Sequence, residues 1–263
     1  MVEAARDVLA DAADAEGLAQ LARTGWFTAV HIRSEEADRL RCLVGARERL
    51  IRLRKDLEGH IRGVLKTFGI RMIGIGQGRQ RQAFRDQLAA AGEIDPVLRV
   101  IADAFIATHA KLCQVADDLD KAVRKTAKAH PVARRLMTIP GVGPVNALSF
   151  IALVDDPGRF NRTSDVGAFL GLTPKRHQSG EMDWSGRVSK CGDGAVRGLL
   201  FEAASSVIHQ VKRFSRLKSW AVRLAGRRGF RTAAVATARK IAVLMLTLWK
   251  NGTDYQWTKE ATA

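Results

Sequence analysis

Apolar residues recur at helical spacing along much of this chain, and the pattern changes near Pro131. In the first half a narrow seam returns every three, four or seven residues: Leu43, Leu50, Leu57, Ile61, Val64 and Phe68. Such a seam is typical of a long helix packed along a partner. A second seam runs from Pro96 to about Lys128. We therefore predict two long antiparallel helices, connected by a glycine-rich turn at residues 69–78.

The flanking regions have different patterns. Residues 2–23 show helical periodicity before Gly25, whereas glycine and proline become frequent after Pro131. Helices resume at Asp193, a good N-cap, and the last ends at Asn251-Gly252. We expect a mainly α protein in three parts, residues 1–33, 34–130 and 131–263. For residues 34–130, the pattern fits both a protruding coiled-coil arm and an ordinary helical bundle.

The net charge of the chain predicts a binding partner. The chain carries a net charge of +16 and a pI of about 10.6. Between residues 171 and 231, thirteen Lys and Arg stand against four acidic residues, a net charge of +9. A basic region of this density favours a polyanion such as double-stranded DNA. The alternative is a basic protein from an arginine-rich genome that binds no polyanion.

Cysteine usage and hydropathy point to a cytoplasmic protein. Cys42, Cys113 and Cys191 are odd in number and far apart, a spacing that favours neither a zinc site nor a disulfide framework. The longest apolar run, Ile241–Trp249, is well below the roughly 20 residues of a membrane-spanning helix. We expect no membrane partner.

A glycine-rich turn precedes the apolar stretch VNALSFIALV. Ile139 to Pro144 read IPGVGP, the hydrophobic-x-Gly-hydrophobic-Gly pattern of a helix-hairpin-helix turn. Gly141, Val142 and Gly143 would let the backbone come close to a DNA phosphate, held by the N–H groups that open the next helix. The competing interpretation is a purely structural turn.

A basic segment that contains a serine follows this turn. Ser179-Gly180 ends a loop that begins at Pro174, and its cations are Lys175, Arg176, Arg187 and Lys190. A hydroxyl among cations can attack a phosphodiester, since the cations stabilise charge on the non-bridging oxygens. Residue type alone does not separate Ser179 from Ser185 and Ser189.

Two carboxylates near the amino terminus form a third candidate site. Asp11 and Asp14 are three residues apart, so on a helix they share one face and offer oxygen ligands to a divalent cation. Solvated aspartates on an acidic helix explain the same spacing without a metal.

Four segments together resemble one family. They are DAADAEGLAQLARTGWF, HIRSEEADRLRCLVGARERLIRLR, the stretch from IPGVGPVNALSFIALV to GLTPKRHQSGE, and GRVSKCGDGAVRGLLFEAA. The chain resembles the insertion-sequence transposases of the DEDD type, the class of bridge-RNA-guided recombinases. The resemblance covers nearly the whole chain and is most specific from Ile139 to Ala204.

The resemblance implies a two-part enzyme. A RuvC-like domain of the ribonuclease-H fold would bind Mg²⁺ through four acidic residues, of which Asp11 and Asp14 match the last two. A coiled coil would pair subunits as dimers or tetramers. In the carboxy-terminal domain Ser179 matches the serine that becomes covalently linked to DNA, and a guide RNA is an implied partner.

The chain departs from the family at its amino end. The family's first Asp and its Glu lie on strands well upstream of the Asp-x-x-Asp pair, and only ten residues precede Asp11 here. We expect a remnant of the RuvC-like domain with an incomplete metal site. Little independent transposition would follow, through gene decay or a misassigned start. The alternatives are a non-catalytic helix-hairpin-helix DNA-binding protein and a helical scaffold.

Overall fold

The structure is a computed structural model that describes residues 14–26, 30–72, 78–179 and 182–257. It is mainly helical, as predicted, and divides into two units, residues 1–34 and 35–263. The helices of the second unit are α1 Glu35–Thr67, α2 Arg79–Gly92, α3 Pro96–Ala129, α4 Pro131–Leu136, α5 Pro144–Val154, α6 Val166–Phe169, α7 Gly194–His209, α8 Arg216–Arg228 and α9 Phe230–Asn251. Two strands, β1 Pro174–Ser179 and β2 Met182–Val188, form a hairpin.

In the first unit residues 14–24 are helical. The Thr24 hydroxyl donates to the Gln20 carbonyl oxygen at 2.9 Å, and Gly25 follows with φ +68°. A left-handed glycine after the last turn is a common helix end, so the predicted stop at Gly25 is confirmed. The predicted start of this helix, together with Asp11, lies outside the described residues.

Helices α1 and α3 run antiparallel. Three contacts show this, because residue numbers rise along one helix as they fall along the other: Glu36 with His130 at 3.3 Å, Arg47 with Asp120 at 2.7 Å, and Glu58 with His109 at 3.0 Å. Asp95 caps α3 by accepting from the N–H groups of Val97 and Leu98. Both predicted long helices are therefore confirmed, nearly to their ends.

Helix α2 is absent from the prediction. It packs on α3, and Phe84, Leu88 and Ala91 enter a core with Ile61, Leu65, Leu98 and Ala102. Their spacing of four and three residues is a helical signal, but Phe84 and Leu88 are the only large apolar residues of a segment rich in Arg, Gln and Ala. Where α2 joins them, α1 and α3 therefore belong to a three-helix bundle. We call α1, α2 and α3 the helical arm.

A second core joins the base of the arm to the carboxy-terminal helices. Leu40 and Val44 of α1 and Val123 and Ala127 of α3 pack with buried residues of α5, α7 and α9. Helix α9 is long and apolar enough to meet a length-and-composition test for a membrane span, with a mean hydropathy of 1.3 over its best window. Half of that window is buried by neighbouring helices of this core.

The segment predicted as a loop after Pro174 is strand β1. It pairs antiparallel with β2, with Arg176 opposite Ser185, Gln178 opposite Asp183, and Ser179 opposite Met182. Polar and charged side chains dominate β1, so it lacks the apolar alternation by which a half-buried strand is recognised. Pairing with β2, and not burial, makes it a strand.

Candidate functional site

The IPGVGP turn is built by a type II β-turn. The Val142 N–H donates to the Ile139 carbonyl oxygen at 3.1 Å, Pro140 holds the second position, and Gly141 the third with φ +81°. A type II turn requires this left-handed conformation at its third position. A Cβ on Gly141 would also lie 2.5 Å from the Ala203 carbonyl oxygen of α7. The turn is thereby pressed against α7, and Gly141 has a packing role.

The amino end of α5 follows this turn. Gly143 is its N-cap in an extended conformation, and Pro144 is the first helical residue. The first N–H groups of a helix have no partner within it, so those of Val145 and Asn146 are suited to a phosphate. A Cβ on Gly143 would meet no atom within 4 Å. Val142 is 5% exposed, so of the three predicted phosphate-binding residues Gly143 is the one beside open space.

The β1–β2 hairpin carries the candidate nucleophile. Ser179 is the last residue of β1 and is exposed. Alternate residues of a strand share a face, so Ser179 lies on the same face as its partner Met182 and as Trp184. Met182 is 66% and Trp184 55% exposed. The sequence reasoning did not identify this apolar surface beside the serine, although the alternation of Met182 and Trp184 was the signal for it.

On the opposite face of the hairpin Arg176 is paired with Asp183. The guanidinium donates from Nε to Oδ1 at 3.0 Å and from Nη2 to Oδ2 at 2.5 Å. These hydrogen bonds hold the pKa of Asp183 below its usual range and raise the pKa of Arg176. Both side chains are exposed. Arg176, predicted to bind DNA, therefore already has a carboxylate partner.

The stem of the hairpin is fixed by backbone contacts. Ser189 N–H donates to the Thr173 carbonyl oxygen at 2.9 Å, and Lys190 N–H to that of Gly171 at 3.1 Å. A Cβ on Gly171, which has φ +65°, would lie 2.1 Å from the Cys191 carbonyl oxygen. Arg197 Nη1 donates to the Leu170 carbonyl oxygen at 3.1 Å. Ser189 thus lies at the stem, whereas Ser179 lies at the far end of its strand.

A groove of about 1820 Å³ opens beside this stem. Its cations are Arg187, Lys190, Arg216, Arg231, Arg239 and Lys240, and its acidic residue is Asp254. Helices α8 and α9 supply the last four cations, which were not among the predicted site residues. For Arg216 and Arg231 the signal in the sequence was the run of eight Lys and Arg from Lys212 to Arg231, which contains no acidic residue; Arg239 and Lys240 lie beyond that run. We call this feature the α8–α9 groove.

The described residues do not assemble a metal site. Within residues 14–26, 30–72, 78–179 and 182–257 no group of three or more His, Cys, Asp or Glu side chains is placed to hold a metal ion. Asp14 is exposed on the helical segment of the first unit, and Asp11 lies outside the described residues.

Comparison with known proteins identifies relatives along nearly the whole chain. The family described as "Transposase IS116/IS110/IS902 family" matches residues 133–219, which include the turn, the hairpin and α7. The y4pF/y4sB protein of Sinorhizobium fredii is 33% identical over 94% of this chain and 64% of its own length. The transposase for insertion sequence element IS1111A of Coxiella burnetii is 30% identical over 94% of this chain and 68% of its own length.

The chain thus spans slightly less than two thirds of y4pF/y4sB and slightly more than two thirds of the IS1111A transposase. The match to the latter extends through the arm as well as the hairpin-bearing region. On this evidence the chain belongs to the IS116/IS110/IS902 family of transposases.

Proposed function

We propose that this chain takes part in the transposition of an insertion sequence, with Ser179 as the nucleophile that attacks DNA. The observation that carries the proposal is the position of Ser179, exposed at the end of β1 within the basic region of residues 171–231 and inside the region that matches the family. Ser189 fits the role less well because it lies at the stem, where its N–H pairs with Thr173.

The proposed reaction is a transfer of a phosphodiester to serine. Ser179 Oγ loses its proton and forms a bond to phosphorus, while the bond from phosphorus to one deoxyribose oxygen breaks. The released oxygen takes up a proton, and the DNA strand stays linked as a phosphoserine ester. Cations that reach this phosphate would stabilise charge on its non-bridging oxygens, which is the main contribution a protein makes to phosphoryl transfer.

The turn before α5 supplies a second contact in this proposal. The N–H groups of Val145 and Asn146 would hold a phosphate of the same duplex, without reading its sequence. Because Gly141 packs on α7 and α7 follows the hairpin, the turn and the serine belong to one packed unit. The net charge of +16 favours the binding of double-stranded DNA, which is a polyanion, to the surface of this protein.

The remaining proposed partners are inferred from the family resemblance and from exposed apolar residues of the arm. A second copy of the chain would pair through the arm, where Ile94, Val97 and Val100 are 68%, 64% and 71% exposed. Apolar side chains grouped in this way mark interaction surfaces. Mg²⁺, with Asp11 and Asp14 among its ligands, and a guide RNA belong to the proposal only through the resemblance.

A covalent trap tests the nucleophile. A labelled duplex that carries the element's end and a nick beside the scissile bond is incubated with the protein, Mg²⁺ and a full-length family transposase whose own matching serine is replaced by alanine, because the metal site of this chain is expected to be incomplete. The mixture is then denatured. We expect a protein–DNA adduct whose linkage maps to Ser179, lost in Ser179→Ala and retained in Ser189→Ala. An adduct that persists in Ser179→Ala, or no adduct with the wild-type chain, would contradict the proposal. The second result would favour a DNA-binding protein without this chemistry.

A further inference from the structure

We propose that the α8–α9 groove binds an unpaired DNA strand. The inference rests on the proposed function in one respect, that the nucleic acid is DNA. Its evidence is separate: the shape of the groove and the charge and lining that α8 and α9 contribute to it, which the serine chemistry does not use. The groove belongs to residues 172–256, which are held together by the carboxy-terminal core.

Charge is the first argument. Six cations and one carboxylate line the groove, and Arg216, Arg231, Arg239 and Lys240 are all exposed. Lys240 Nζ lies 3.8 Å from the centre of the Trp220 ring, a cation–π contact that keeps the ammonium at the groove wall. A net positive lining of this strength is complementary to a phosphate backbone.

The uncharged part of the lining also favours an unpaired strand over a duplex. The groove is also lined by apolar side chains, among them Leu217, Val235, Val243 and Leu244. Uncharged hydrogen-bonding side chains stand beside them: Thr232, Thr247, Asn251, Thr253 and Gln256. A duplex keeps its base faces stacked inside, so it has little to place against these apolar side chains. An unpaired strand can place its bases against them and also hydrogen-bond the base edges.

Location is the third argument. Arg187 and Val188 of β2, and Lys190 just after it, line the groove, and β2 pairs with strand β1, which ends at Ser179. From Pro174 at the stem to Ser179 the strand is about 17 Å long, at about 3.3 Å per residue. A strand held in the groove is therefore near the serine but separate from it. A DNA strand released beside the attacked bond is the occupant that fits this distance.

The test compares two double variants of the full 263-residue chain. Arg231→Gln with Lys240→Gln removes two exposed groove cations. Lys125→Gln with Lys128→Gln removes two exposed cations of the arm and changes the net charge equally. The probe is a labelled 12-nucleotide oligo-dT, and binding is followed by fluorescence anisotropy over a salt series. Each lost single-strand phosphate contact should lower affinity about fivefold at 0.1 M salt and reduce the salt slope by about 0.7.

We expect the groove double variant to bind oligo-dT about 25-fold more weakly than wild type, from two such contacts. The arm double variant should bind as wild type does. Equal losses in both double variants, or none in the groove variant, would overturn the proposal. A 12-base-pair duplex that suffers the same loss would overturn the assignment to an unpaired strand. An oligo-rU that binds more tightly than oligo-dT would overturn the assignment to DNA.

Photo-crosslinking gives an independent measurement. An oligo-dT that carries 5-iodouracil should crosslink within residues 216–256, where Trp220 and Tyr255 line the groove; crosslinks confined to the arm would overturn the proposal. Ser179→Ala should bind oligo-dT normally. If the covalent trap fails and these results hold, only the serine assignment is lost. If the trap succeeds and the groove variant binds normally, only the groove assignment is lost.

Discussion

His109 and Glu58 form a hydrogen-bonded pair inside the helical arm, with His109 Nε2 3.0 Å from Glu58 Oε1 and the imidazole fully buried. A carboxylate only accepts hydrogen bonds, so Nε2 carries the proton. The other ring nitrogen, Nδ1, lies 3.5 Å from Arg85 Nη1, which only donates. Because Nδ1 must accept, the geometry matches a neutral imidazole. Burial lowers the pKa of His109, and the charges of Arg85 and Arg54 lower it further, against the opposing effect of Glu58.

The first prediction is a loss of stability in mild acid. A histidine with a lowered pKa binds its proton more readily in the unfolded chain. Its contribution to stability is therefore present above a pH of about 6.5 and declines as the pH falls below that value. One proton corresponds to at most about 1.4 kcal/mol per pH unit. Urea unfolding at pH 8, 6 and 5 should show the decline, His109→Gln should flatten it, and His60→Gln should leave it unchanged. A decline that His109→Gln leaves intact would assign it to other groups.

The second prediction concerns the hairpin and its ion pair. Asp183→Asn removes the carboxylate that holds Arg176, so the guanidinium becomes available to a phosphate. We expect tighter duplex binding and a salt dependence steeper by about 0.9 for one added contact. Asp118→Asn on the arm removes the same charge from another exposed ion pair, with Lys121, and should change neither quantity. Equal effects from both substitutions would show that only net charge matters.

The third prediction separates the two glycines of the IPGVGP turn. Gly141→Ala forces a side chain into a left-handed conformation and against α7, and should cost at least about 1–3 kcal/mol of unfolding free energy. Gly143→Ala has an ordinary backbone conformation and open space, so its cost should stay below about 1 kcal/mol. Guanidinium unfolding measures both. Equal costs would mean that the turn is not pressed against α7.

The fourth prediction uses the same pair of sites for DNA binding. If a phosphate approaches the amino end of α5, the methyl group of Gly143→Ala will intrude on it while the fold persists. We expect weaker duplex binding from a variant of nearly wild-type stability, measured by anisotropy and unfolding on one preparation. Gly198→Ala, a helical glycine with no atom within 4 Å of the added Cβ, is the matched control. Wild-type affinity in Gly143→Ala would place the phosphate elsewhere.

The fifth prediction tests the core where α2 packs in the arm. Phe84 is 2% exposed, whereas Phe68 is 52% exposed. Phe84→Ala should cost about 3–5 kcal/mol in the stability of that core, the usual range for a buried phenylalanine. Phe68→Ala should cost far less. Hydrogen exchange should show the loss in α2 and its neighbours on α1 and α3, and a uniform loss through α9 would contradict a separate core there.

The sequence by itself determined the helices that carry their own signals. The seams of α1 and α3, the Asp193 cap, whose carboxylate accepts from Ala195 N–H at 2.8 Å, and the end at Gly252 all depend on contacts within a few residues. Such local contacts leave a periodic or positional trace in the chain. Ser179 was selected by its resemblance to a family, and its chemistry stays a prediction.

Only the tertiary structure decided what depends on residues far apart in the chain. It made a strand of Pro174–Ser179 by pairing it with β2, and it joined α2 to the arm through the Phe84 core. It also formed the ion pair between Arg176 and Asp183. It placed Arg187 in the lining of the same groove as Arg231 and Lys240. Each arrangement depends on packing between distant segments, and no local spacing records which of many cations will share a surface. The IPGVGP turn depends on both local and distant contacts. Its type II conformation is local, whereas its packing against Ala203 of α7 joins segments far apart in the chain.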